Sequence, residues 1–168
     1  MNTNSSNSDS VPRPEYPRPD KLRPHHAHRV LNGIWAFAFD EQDRGQQERW
    51  NRGGAQGSIH PALDKEIIVP FAHQTQASGL NDKRACEVVW YARRFHPEHL
   101  LTQQGGLEQD NRVLLHFAAV DYEAKVWVQG ELVAEHRGGH VPFYADITDV
   151  LERCKVEGVE EIAVVVRA

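Results

Sequence analysis

The feature that most limits what this chain can fold into is the length of its apolar runs. From Arg29 onward, apolar runs of four to nine residues alternate with polar, glycine-containing gaps. Runs of that length, rich in β-branched and aromatic residues, suit strands rather than helices. None approaches the roughly 20 residues a membrane helix needs.

The runs read in order as follows. Ile34–Phe39 is a strand, and Ile67–Val69 is a second, stopped by Pro70. Val88–Phe95 is a third. Arg112–Val120 is nearly continuously apolar, which predicts a central strand buried on both faces. Lys125–Val128 and Glu131–Ala134 form a hairpin, with Val126 and Val128 on one face and Lys125, Trp127 and Gln129 on the other. Its turn is Gln129-Gly130, where Asn-Gly is the favoured pair because both positions want positive φ. Val141–Tyr144 is a short strand broken by Pro142. Asp146–Leu151 reads as a strand end and one helical turn with Thr148 as its N-cap. Glu161–Arg167 is the last strand, and its position at the chain's end suggests a parent polypeptide that continues. Residues 40–66 read as a long irregular connection, and 71–85 and 97–111 as loops. Eight or so short strands with almost no helix predict an all-β antiparallel sandwich or jelly roll over residues 29–168.

Residues 1–28 differ. Ten residues of mostly Asn, Ser, Thr and Asp precede Pro12, Pro14, Pro17, Pro19 and Pro24. Proline removes backbone donors and fixes φ, so this segment is expected to be an extended or disordered tail. It shows no basic and apolar secretory leader, which points to the cytoplasm. With 168 residues, a net charge of −5 and 26% charged residues, the chain has one ordinary core and no basic surplus for nucleic acid. Cys86 and Cys154 are expected to be separate thiols in a reducing compartment.

Chemistry-bearing motifs are sparse. There is no Gly-x-Ser-x-Gly elbow, and Gly53–Gly57 lacks the lysine and helix of a phosphate loop. His25, His26 and His28 sit in the proline-flanked tail and read as solvated rather than metal-binding, so no metal or cofactor is expected. His116, in the presumed central strand, reads as a hydrogen-bonded core histidine. Asp121 and Glu123 share one side of an extended segment, but loop aspartates commonly bond nearby amides instead of acting as acids. Trp90, Tyr91, Tyr122, Trp127 and Tyr144 are candidates for stacking on sugar rings. Core packing is the expected role of Trp90 and Trp127; Tyr122 and Tyr144, near strand ends, are more open.

In order, LNGIWAFAFD (31–40), IIVPFAHQTQASG (67–79), VVWYARRF (88–95), the long stretch RVLLHFAAVDYEAKVWVQGELVAEHRGGHVPFYADITDVL (112–151) and EIAVVVRA (161–168) resemble the N-terminal sugar-binding domain of family 2 glycoside hydrolases. That family holds β-galactosidases, β-glucuronidases and β-mannosidases. The resemblance implies a jelly-roll β-sandwich of the galactose-binding type. In such enzymes an immunoglobulin-like domain and a (β/α)₈ barrel with two catalytic glutamates follow, and the barrel alone takes about 250 residues. No catalytic residue therefore transfers to this chain. The family's SG-[IF]-x-R-x-V stretch would also lie beyond residue 168. Gln129 stands where the family usually has Asn, and Ala92 where it usually has Arg.

The implied role is a non-catalytic domain of a retaining glycosidase. It would meet its β-glycoside through the barrel, pack on the immunoglobulin-like and barrel domains, and sit in a possible homo-oligomer. Asp121, Tyr122, His140 and Tyr144 are the expected sugar or barrel contacts, with Gly138-Gly139 beside them. A stand-alone carbohydrate-binding module and a purely structural interface domain are the rival readings.

Overall fold

A computed structural model describes residues 11–13, 28–52, 58–97 and 112–168. Their strands are β1 (Gly33–Phe39), β2 (Lys65–Val69), β3 (Val89–Phe95), β4 (Leu114–Phe117), β5 (Glu123–Val128), β6 (Glu131–Arg137), β7 (Phe143–Asp146) and β8 (Ile162–Arg167). One α-helix, α1 (Thr148–Val156), joins β7 to β8. Six strands form an antiparallel sheet in the order β2-β1-β3-β8-β5-β6, and β4 pairs with β7 in a second, two-stranded sheet. The fold is an all-β sandwich, as expected. Most of the proposed tail, including His25 and His26, lies outside the described residues, as do Gly53–Gly57 and Gly105-Gly106.

Alternation along the strands of the large sheet feeds two cores. Phe37, Ile67, Val126, Val128, Val164 and Val166 point to one face. There they meet Leu115 of β4, Ala145 of β7, and Val150, Leu151 and Cys154 of α1. Ala38, Trp90, Ala92, Trp127 and Val165 point to the other face. That face is covered by Trp50 and Leu63 from the 40–64 connection. Its described residues, 40–52 and 58–64, are irregular apart from a 3-10 turn at Trp50–Arg52, and they also form a packed layer.

The turn of the β5–β6 hairpin explains its unfavoured residue. Gln129 and Gly130 have φ of 50° and 79°, the left-handed pair a two-residue turn demands. Gln129 adds what most turn residues cannot: its Oε1 accepts the Ala163 amide at 2.9 Å, and its own amide donates to the Ala163 carbonyl at 2.9 Å. The turn is thereby tied to the start of β8.

Four expectations need correction. The 112–120 run is not a central strand. It yields the short β4, whose outer face leaves Leu114 51% exposed, while β3 and β8 occupy the middle of the large sheet. An apolar run cannot report how many layers cover it, and nothing described packs on the outside of β4. His116, on that outer face, is exposed rather than a core histidine. The strand expected at 141–144 is β7 at Phe143–Asp146, after Pro142. The helix runs nine residues, with Ile147 at the N-cap and no side-chain bond from it. Asp146 supplies the bond instead: its Oδ1 accepts the Thr148 amide at 3.1 Å and the Thr148 hydroxyl at 2.6 Å. Thr148 Oγ1 itself accepts the Val113 amide at 2.9 Å, so it secures β4 rather than the helix end.

Candidate functional site

The β5–β6 hairpin positions the candidate site. Its register pairs Glu123 with Arg137, so the residues before β5 and after β6 meet at one end of the sandwich. The Gly138 amide donates to the Tyr122 carbonyl at 2.7 Å and closes that end. Gly138 has φ of 139°, a conformation other residues rarely adopt. At Gly139 a Cβ would lie 2.5 Å from Asp121 Oδ1, so only glycine lets the loop rest against the carboxylate. Asp121, Tyr122 and the Gly138–His140 loop therefore form one exposed rim.

Arg137 organises this rim. Its Nε pairs with Glu123 Oε1 at 3.1 Å, and its guanidinium carbon stands 5.4 Å from the centroid of the Tyr122 ring. Tyr122 is 57% exposed and keeps a ring face toward solvent. Beneath, His136 stacks on Phe143 at 4.3 Å, and Phe143 on Phe117 at 4.8 Å. His136 Nε2 also lies 3.2 Å from the Gly138 carbonyl. This stack ties the loop to the two-stranded sheet. Arg137 and His136 were not singled out in the sequence. Their alternation along β6 is ordinary, and only the pairing with β5 reveals their neighbours.

Tyr144 belongs elsewhere. It faces outward from β7, 65% exposed, directly across from His116 on β4. Phe143, its neighbour, points the other way into the ring stack. Three of the four expected site residues thus share the rim, and Tyr144 lies on the outer sheet face.

The aromatic platform is reduced in the same way. Trp90 and Trp127 stack at 5.4 Å inside the second core and are 0% and 4% exposed. Tyr91 is half-buried against Phe37, at 5.0 Å, and burial pushes its phenol up to about 12. The Glu123 carboxylate is already paired with Arg137, so Asp121 and Glu123 do not make a free acid and base couple. What the rim offers is hydrogen bonding and ring stacking. Among the described residues, no group of His, Cys, Asp or Glu side chains is arranged to hold a metal, and no helix is long and apolar enough to cross a membrane.

The rim also marks where the described chain ends. β8 runs antiparallel to β5, pairing Arg167 with Lys125, and Ala168 exchanges backbone bonds with Val89 at 2.8 and 2.9 Å. Arg167 holds Asp43 through two contacts of 3.1 and 2.8 Å. Ala168 and Asp121 thus lie at the same end of the sheet.

The molecule is thus an antiparallel sandwich with an exposed polar and aromatic rim at one end. The sugar-binding domain model of the glycosyl hydrolases family 2 matches residues 28–167, and the chain belongs to that family.

Its relatives include the β-glucuronidase of Rattus norvegicus, 36% identical over 127 residues, which are 74% of this chain and 18% of the relative. The β-glucuronidase of Sus scrofa is 34% identical over 140 residues, 82% of this chain and 20% of the relative. The crystal structure of Ruminococcus gnavus β-glucuronidase superimposes with a TM-score of 0.61 at 25% identity, over 87% of this chain and 22% of that one. The chain spans about a fifth of the length of these proteins. It corresponds to the sugar-binding domain that the family model describes.

Proposed function

We propose that this chain is the body, residues 29–168, of the sugar-binding domain of a β-glucuronidase-type glycosidase, and that the Asp121–Tyr122 and Gly138–His140 rim faces the catalytic part and its glycoside. The observation that carries the reading is the convergence at one end of the sheet. Asp121, Tyr122 and the Gly138–His140 loop all lie there, held against one another by the Gly138–Tyr122 backbone bond and the close approach of Gly139 to Asp121. The similarity to β-glucuronidases over about a fifth of their length supports the choice of parent enzyme. The parent would cleave O-glycosyl bonds with groups this domain does not hold, while the domain shapes one wall of the substrate cleft. Cys86 and Cys154 are both unpaired, which suits a reducing, cytoplasmic compartment. Oligomer formation by the parent is retained as part of the proposal.

Two measurements test this. Reading the coding sequence after the Ala168 codon should show an open frame with a second sandwich and a barrel bearing two glutamates. A stop codon there overturns the reading. In the polypeptide so defined, Asp121→Ala and His140→Ala should lower kcat/KM for an aryl β-glucuronide about tenfold without moving Tm. Wild-type kinetics in both variants would remove the rim from the substrate cleft.

A further inference from the structure

The opposite end of the sandwich carries a cationic corner that the rim does not explain. Arg93 lies on β3 in the same alternation as Val89, Tyr91 and Phe95, so it points into the space between the sheets. A half-buried cation normally sits beside a carboxylate, because desolvation of an unpaired charge is costly. Arg93 instead donates from Nη1 to two neutral backbone oxygens, those of Leu31 and Asn32, each at 2.8 Å. Gly33 makes this possible: a Cβ there would come within 3.0 Å of Nη1.

A second guanidinium arrives from the crossing segment. Arg29, two residues before Leu31, donates from Nη1 to the His96 carbonyl at 3.1 Å. The crossing of residues 29–33 over 93–96 therefore brings Arg29 and Arg93 to one corner. The carboxylate already there, Glu161, is taken by Arg94 and by His96 Nε2, the latter at 3.1 Å. Among the described residues, neither Arg29 nor Arg93 has an ion pair. Burial first, and the charge of Arg29 second, hold the Arg93 guanidinium below its usual range.

We infer that Arg29 and Arg93 form a binding site for the carboxylate of an acidic sugar. The Nε and Nη2 hydrogens of Arg93 have no partner among the described residues, and that edge of a guanidinium matches a carboxylate with two parallel bonds. Arg29 supplies the second cation. A neutral sugar would leave the repulsion between the two guanidiniums unrelieved. The anionic half of the inference stands on the arginines alone; the saccharide half rests on the sugar-binding reading above.

The test is a titration of the ¹⁵N-labelled 168-residue chain, following the Arg93 Nε–H resonance. D-glucuronate should shift it saturably, acetate at least about tenfold more weakly, and methyl β-D-glucoside not at all. Equal affinity for acetate would overturn the sugar assignment. Equal affinity for the glucoside would overturn the ionic one, and no shift with any ligand would overturn the site. None of these results touches the rim at the other end, whose test is kinetic. Arg29→Glu places a carboxylate beside Arg93 within the chain. It should abolish glucuronate binding and raise Tm, and Arg29→Gln should weaken binding several-fold at unchanged Tm. Wild-type binding in both variants would sink the proposal.

Discussion

The two faces of the six-stranded sheet are closed by different means. One face is covered by regular structure: the β4–β7 pair and α1 press Leu115, Ala145 and Leu151 onto a mostly aliphatic surface. The other is covered by the described residues of the 40–64 connection, which are held by short-range turns and one 3-10 turn rather than by strand pairing. Large rings and one buried carboxylate do that work. Trp90 stacks on Trp127 and meets Trp50 edge-on at 5.7 Å. Asp40, 5% exposed, accepts from Trp90 Nε1 at 2.9 Å, the Gly45 amide at 2.8 Å and the Arg44 amide at 2.9 Å. A strand layer distributes its hold over many small contacts. An irregular layer concentrates it in a few residues, so single substitutions should release it.

The sharpest way to break this contrast is Trp90→Ala. Removing a fully buried tryptophan costs about 3–5 kcal/mol, and here it also strips one partner from the Asp40 carboxylate. Residues 41–52 and 58–64 should lose amide-exchange protection and become protease-sensitive while α1 and β4 stay protected. Simultaneous loss in both layers would show that the sheet couples the two faces into one unit. Gly45→Ala is the next largest. Its Cβ would sit 2.7 Å from atoms of both Trp50 and Trp90, and overpacking of that kind costs about 1–3 kcal/mol. The expected result is a lower urea midpoint with the same early opening of the connection. A wild-type midpoint would mean that the rings can shift apart cheaply.

The same contrast explains what was readable in the sequence. β3, β5 and β8 were legible because their β-branched and aromatic runs are long and bounded by glycine or polar gaps. The burial of Trp90 and Trp127 followed from those runs. The second layer was not legible. Trp50 is an isolated aromatic in a polar stretch, and Asp40 resembles any strand-end aspartate until its three donors are in place. β4 was misjudged because periodicity reports apolarity, not the number of layers outside it. At the site, the hairpin places Asp121, Tyr122 and His140 at one end of the sandwich, a proximity that only the β5–β6 register reveals. Tyr144 was separated from them by strand alternation, which a short run broken by Pro142 does not reveal.

Smaller effects should distinguish the face closed by regular structure through pH. Asp146 caps α1, and its Oδ2 lies 2.6 Å from Arg112 Nη1 before β4, so one carboxylate joins both elements of that layer. The Thr148 hydroxyl and amide, then Arg112, hold its carboxyl below the usual carboxylate range. A lowered folded value means that its stabilisation is present above the unfolded pKa of about 3.9 and is lost as pH falls through the folded value. Asp146→Ala should cost about 0.5–2 kcal/mol at pH 7, the range for a lost helix cap. The deficit should shrink in thermal melts as pH falls below about 4. A deficit that does not change with pH would assign the loss to packing instead.

Tyr91 sets the opposite limit on the same face. Burial raises its phenol from 10.0 to about 12, because the phenolate is poorly solvated between the sheets. For a group whose folded pKa is raised, the stabilisation is complete below the unfolded value and disappears as pH rises through the folded one. The window therefore lies between 10.0 and about 12. Wild-type Tm should begin an additional fall there, and Tyr91→Phe, which keeps the ring against Phe37 but cannot ionise, should lack that component. At pH 7 the two should melt within about 0.5 kcal/mol of each other, since the change leaves the ring's packing in place. Ultraviolet titration of the phenol gives an independent reading. A phenolate appearing near pH 10 in the folded protein would mean that water reaches Tyr91, and that this face is less tightly closed than its regular elements imply.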